Sequence, residues 1–164
     1  MTNTNANTNA QVTGHHHAPR MLLHEVAPEV GKAMLSLERA ARKGLETSLI
    51  ELVKIRASQL NRCAFCLDMH TKDARKLGES EERIYLLNAW HEAPGLYTEK
   101  EQAALALTEA VTLLPGGVSD EVYDRAAKHF PQQELAQLIA MITTINAWNR
   151  IGVTTGLGPG AYAV

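Results

Sequence analysis

Cys63, Cys66 and His70 stand in the run Cys63-Ala-Phe-Cys66-Leu-Asp-Met-His70, a spacing of i, i+3 and i+7. On a helix of about 3.6 residues per turn the three side chains share one face. That face offers two thiols and a base. Leu60-Asn61-Arg62 reads as the end of the preceding helix, so both cysteines fall in the first turn of the next one. Unpaired amides and the positive end of the helix dipole favour a thiolate there, lowering a thiol from its ordinary pKa of about 8.5. Such a thiolate attacks the O–O bond of a peroxide and becomes a sulfenic acid, which a neighbouring thiol resolves to a disulfide. The spacing alone does not order the two sulfurs. His70 lies one turn after Cys66, so Cys66 is assigned as the attacking (peroxidatic) sulfur and Cys63 as the resolving one.

Two plainer readings stand beside this one. A CxxC with a following His is also half of a zinc site, but closed structural zinc takes four ligands and these are the only two cysteines in the chain. Buried, inert cysteines packing as small hydrophobes are the other, and a His on the same face argues against it.

The elements that must position this face read as helices throughout, with apolar residues every three or four positions and Gly or Pro between them. The pattern predicts helices over 28–42, 46–60, 64–77, 80–89, 98–114, 119–129 and 132–151, and no strand. A capping box at Thr98-Glu-Lys-Glu101 and an N-cap at Ser80 support the starts. In the second helix Leu49, Leu52, Val53 and Leu60 form the apolar stripe, which by periodicity puts Glu51 on the opposite, solvent side, within reach of Lys54. The last helix carries two stripes, one of Leu135, Leu138, Ile142 and Ile145, the other reaching Met141, Trp148 and Ile151. A helix apolar on more than one side needs cover on more than one side, which predicts a homo-oligomer, or else a central helix wrapped by its own neighbours. His91, in Trp90-His91-Glu92, reads as an exposed loop histidine rather than a pocket residue.

Residues 1–18 carry almost no large apolar side chains and are expected to be a disordered tail, with His15, His16 and His17 as a solvated tract within it. Residues 19–164 then form one domain. Sixteen basic against eighteen acidic residues leave a net charge of -2, which gives no footprint for nucleic acid or anionic lipid. With no secretory signal and no apolar run of about 18 residues, a cytoplasmic protein is expected. In a reducing compartment a lone CxxC points to redox chemistry or metal rather than a structural bridge.

The chain resembles the alkyl hydroperoxidase D-like (AhpD-like) proteins of the carboxymuconolactone decarboxylase family. The resemblance covers about 45–153 and rests on Glu51-Leu-Val-Lys54, then Cys63-x-x-Cys66-x-x-x-His70, then Thr98-Glu-Lys-Glu101-Gln-Ala-Ala-Leu, then Ile145-Asn-Ala-Trp-Asn-Arg150. It implies an all-α bundle built around a helical hairpin and assembled as trimers or hexamers. It also implies a thiol-dependent peroxidase without metal, haem or flavin, in which Cys63, Cys66, His70 and Glu51 are catalytic. Glu51 then leaves the surface class and joins a proton relay. The implied partners are a hydroperoxide and a dithiol reductant, a lipoyl adaptor or a thioredoxin-like protein. Peroxidase members carry a second His immediately before the latter cysteine; Phe65 stands here, which predicts a drier site with one charge partner fewer. A decarboxylase-type lyase and a redox-sensing or scaffolding oligomer are the competing functions, and the lyase branch has no need of a cysteine pair.

Overall fold

Ten consecutive residues of one helix, Leu49 to Ser58, are buried in the computed structural model, which describes residues 18–160. This helix is α3 (Thr47–Asn61), and seven other α-helices are described beside it. In chain order they are α1 (Leu23–Val26), α2 (Pro28–Ala41), α4 (Ala64–Lys76), α5 (Glu81–Leu86), α6 (Glu99–Thr112), α7 (Asp120–His129) and α8 (Gln132–Thr155). The described residues contain no strand. The all-α expectation holds. The tail expectation, with the three consecutive histidines, lies outside the described residues.

The chain's own apolar pattern divides the core in two. Leu49, Ile50 and Val53 of α3 meet Leu107 of α6 and Leu138, Met141 and Ile142 of α8. Leu52 and Ile55, on the other side of α3, meet Leu87, Trp90, Tyr97 and Leu105. Truncating any one of these large, fully buried side chains to Ala costs about 2–5 kcal/mol.

Because α3 is buried all round, its polar residues are paired within the protein. Lys54 bonds Glu38, Arg56 bonds Glu109 and Asn88, and Ser58 accepts from Asn149. This corrects the periodicity reading of Glu51 as a solvated residue paired to Lys54: both side chains are inside, with different partners. A stripe argument assumes one wet side, and α3 has none.

The long α8 is covered by α2, α3, α4, α6 and α7 of its own chain. The first stripe and Met141 are buried within the chain, whereas Trp148 and Ile151 of the second stripe stay half-buried. The helix also runs four residues past the end expected at Ile151, to a C-cap at Gly156, whose φ of 73° suits glycine. The expected helix over 80–89 is instead α5 followed by a tight 3-10 turn, Leu87–Glu92, kinked at Ala89. Trp90 is drawn inward there, and its indole Nε1–H donates to Glu109 at 2.7 Å. The caps foreseen at Ser80 and Thr98 form, and the second is a full capping box.

Candidate active site

Two residues turn α3 into α4. Arg62 ends α3 in the left-handed region, φ 57° and ψ 39°, and its amide donates back to Gln59. For a non-glycine residue this costs about 1 kcal/mol, and the neighbouring hydrogen bonds hold it. The Cys63 amide donates to the Ser58 carbonyl at 3.0 Å. Cys63 thereby becomes the N-cap of α4, where its Sγ accepts the amide N–H of Cys66 at 3.4 Å. Cys63 and Cys66, with Cα atoms 5.4 Å apart, are joined as a disulfide. Both are buried, at 1% and 2% exposure.

One turn further along α4, His70 points its Nδ1 at Glu51 Oε2, 2.8 Å away. The hairpin explains the meeting: α3 and α4 fold against each other across the Arg62–Cys63 corner, so an early residue of α3 faces the middle of α4. Both side chains are buried, at 6% and 4% exposure. Burial is the largest influence on Glu51 and opposes its ionisation. The hydrogen bond to His70 and the positive charges of His70, Lys54 and Arg42 together outweigh it, holding the carboxyl below its ordinary value of about 4.5. Glu51 is thus a buried carboxylate. Arg42 NH2 lies 3.7 Å from its second oxygen. Glu51 also borders an open cavity of about 230 Å³ with Arg42, Thr47, Lys54 and Asp73, so the pair adjoins solvent on that side.

The four residues singled out from the sequence are therefore two bonded pairs, Cys63 with Cys66 and Glu51 with His70, the last one turn along α4 from the sulfurs. The zinc set considered above is engaged otherwise, since the sulfurs bond each other and His70 Nδ1 is turned to Glu51. Oxygen and nitrogen atoms of Glu51, His70 and Asp73 lie within 4.8 Å of one another. The Arg42 and Lys54 charges beside Glu51 weaken that group as a cation site. Phe65 is half-buried in the first turn of α4. His91 stays apart: its ring stacks on Trp90, and its side chain is 61% exposed beside Glu109.

A second set was not foreseen. Asn61 Nδ2 donates to Asn146 Oδ1 at 2.9 Å and Asn149 Oδ1 at 3.0 Å, and Asn149 Nδ2 donates to Ser58 Oγ at 2.9 Å. Asn146 also donates to Thr112. These bonds fasten α8 to the end of α3, next to the cysteines. The readable signal is a stripe of Asn146, Asn149 and Gly152 at three-residue spacing in the C-terminal half of the last helix.

The chain is similar in sequence and fold to several known proteins. Residues 28–110 match the Carboxymuconolactone decarboxylase family. The uncharacterized protein YdfG of Bacillus subtilis is 45% identical over 139 residues, 84% of this chain and 94% of its own length. A protein of unknown function from Agrobacterium tumefaciens, a candidate antioxidant defence protein AhpD, superposes with a TM-score of 0.84 at 38% identity, covering 88% of this chain and all (100%) of its own. The alkylhydroperoxidase AhpD core of an uncharacterized peroxidase-related protein from Ralstonia eutropha shares the fold at a TM-score of 0.73 and 18% identity, over 88% of this chain and 78% of its own. A buried CxxC at a helix N-terminus, a Glu–His pair one turn on and an all-helical bundle thus occur in a chain that belongs to the carboxymuconolactone decarboxylase family, as an AhpD-like protein.

Proposed function

We propose that this protein is a thiol-dependent peroxidase. The observation that carries the reading is the buried Glu51–His70 pair, bonded at 2.8 Å, whose histidine lies one turn beyond Cys66 on the same helix. A base held in one tautomer by a carboxylate beside a thiol is what proton transfer from that thiol needs. With Nδ1 bonded to Glu51, Nε2 is the nitrogen left to exchange a proton with Cys66.

In the first step the Cys66 thiol gives its proton to His70, and the thiolate attacks the terminal oxygen of the hydroperoxide. An S–O bond forms, the O–O bond breaks, and the alkoxide leaves as an alcohol with a proton returned from His70. Cys63 then attacks the sulfenic sulfur, releasing water and closing the disulfide. A dithiol reductant supplies two electrons and two protons to reopen it, becoming a cyclic disulfide itself. Glu51 stays ionised and steadies the imidazolium that forms in between. The amide hydrogen bond on Cys63 Sγ supports its thiolate as resolving nucleophile and, during reduction, as leaving group.

That same hydrogen bond favours a converse order, in which Cys63 attacks first. Treating reduced Cys63→Ser and Cys66→Ser variants with one equivalent of hydroperoxide, then trapping the sulfenic acid, separates the two. The assignment made here expects the trapped species on Cys66, in the Cys63→Ser variant. For the activity itself, the test is peroxide consumption driven by dihydrolipoamide or thioredoxin. Turnover that is lost in either cysteine variant supports the reading. Absence of turnover with every dithiol, together with an oxidation-dependent change in assembly, would instead favour a redox sensor.

A homo-oligomer, trimer or hexamer, completes the proposal. The exposed Val30 and Leu37, seven positions apart and so on one face of α2, support it as apolar surface available to another copy. Light scattering at micromolar concentration tests it, a monomer being the contrary result. No helix among the described residues is long and apolar enough to cross a membrane.

A further inference from the structure

Glycine in the middle of a helix costs about 0.5–1 kcal/mol relative to alanine. Gly152 nevertheless sits inside α8, buried, four residues before the helix cap. The space where its Cβ would be is occupied: such an atom would lie 3.2 Å from Cys63 Sγ and 3.8 Å from Cys66 Sγ. An ordinary carbon–sulfur contact needs about half an ångström more than the first of these distances.

A crowded Cβ is tolerated where the helix can back away. Here it cannot do so freely. One turn earlier, Asn149 is bonded to Ser58 and Asn61, and Asn146 to Asn61 and Thr112, all at 2.9–3.0 Å and all but Asn61 buried. Those bonds fix the distance between α8 and the corner that carries Cys63. The sulfur, on a single χ1 torsion, is the softer party.

We propose that Gly152 is a positioning residue for the sulfur pair. Its missing side chain makes a notch in α8 that seats Cys63 Sγ in the rotamer from which it closes on Cys66, and the asparagine bonds hold the notch in place. The inference deepens the peroxidase reading in that it concerns the same dithiol. It also stands for any function that cycles this disulfide.

A methyl group at 152 pushes Cys63 Sγ out of the notch. The dithiol form relieves the crowding by rotating χ1, whereas the disulfide form is tied to Cys66 and has no such freedom. Gly152→Ala therefore shifts the equilibrium towards the two thiols. The measurement is the fraction of disulfide in glutathione redox buffers, read by alkylation and mass, with no hydroperoxide present. The expected result is a shift of about tenfold towards the dithiol, which for two electrons is about 30 mV. A merely structural glycine predicts the opposite pattern: an unchanged redox equilibrium and, from helix propensity, a reduced form slightly more stable than the parent. An unchanged equilibrium overturns the proposal.

A double-mutant cycle covers the case in which Gly152→Ala folds poorly. Removing the sulfur with Cys63→Ala empties the notch, so adding Gly152→Ala to that background costs nothing or stabilises. An equal loss in both backgrounds shows that Cys63 is not what the methyl meets, and overturns the proposal. Because neither arm uses peroxide, loss of the peroxidase reading and loss of this one are told apart.

Discussion

Two of the histidine–glutamate pairs among the described residues, His70–Glu51 and His91–Glu109, differ in almost everything except residue type. His70 and Glu51 are both buried, 2.8 Å apart, and share their helix hairpin with the cysteines. His91 and Glu109 are 3.4 Å apart, with the histidine largely in water. In the first pair the carboxylate bonds the imidazole through one oxygen, with Arg42 3.7 Å from the other and the Lys54 charge close by. In the second the carboxylate already serves Arg56 Nε at 2.8 Å and Trp90 Nε1 at 2.7 Å, and His91 is a peripheral third partner. The same two side chains thus make a buried bonded pair on the cysteine hairpin in one place and a structural clamp between α3, the 3-10 turn and α6 in the other. Burial and the choice of neighbour decide which.

That contrast is broken most strongly at Glu51. Glu51→Gln keeps the shape but removes the charge that steadies a protonated His70, and coupled peroxidase turnover is expected to fall by about a hundredfold. His70→Ala is expected to fall at least as far. If either variant keeps full turnover, the relay is not one, and Glu51 is only a satisfied buried carboxylate.

Glu109→Ala should do the reverse. Turnover per folded molecule stays within about twofold, while stability drops by about 2 kcal/mol because the Arg56 guanidinium and the Trp90 indole each lose a charged acceptor. Denaturation in urea measures this. Arg56 keeps Asn88 and Gln59, which is why the loss is not larger.

Acid sharpens the comparison further. The Glu51 carboxyl is depressed in the folded state, so its stabilisation is present above its ordinary value of about 4.5 and is lost as pH falls through the lower, folded value. Glu109 behaves with the same sign: burial, the largest influence, raises it, and the Trp90 and Arg56 donors more than compensate. Urea stability should therefore decline below about pH 4.5, and Glu51→Gln should flatten that decline. A parent and variant with identical acid limbs would mean that Glu51 is not held ionised. His91→Ala is the smallest case. With Trp90 and Arg56 still on Glu109, it should change stability by less than about 0.5 kcal/mol and leave turnover untouched.

What the sequence made legible follows from what is local. The i, i+3, i+7 spacing placed the dithiol and His70 on one face, and Leu60-Asn61-Arg62 marked the corner that makes Cys63 an N-cap. Periodicity failed at Glu51 because a helix wrapped on all sides buries its polar residues too, and no stripe reveals that. Only the family resemblance moved Glu51 inward. The expected end of α8 at Ile151 fell short as well: the helix continues to Thr155 before Gly156 caps it. The asparagine bonds were invisible for a related reason: Asn61 and Asn149 are 88 positions apart in the chain, so only the fold shows that they meet.

Under the proposed function, Cys63 and Cys66 together reduce a hydroperoxide by two electrons. The most direct test is a single turnover: fully reduced protein, one equivalent of organic hydroperoxide, with free thiols and product alcohol counted over time. The expected result is one alcohol formed per two thiols lost, a mass two hydrogens lighter, and a Cys63–Cys66 bond in the peptide map. Hydroperoxide left intact while both thiols remain free would contradict it.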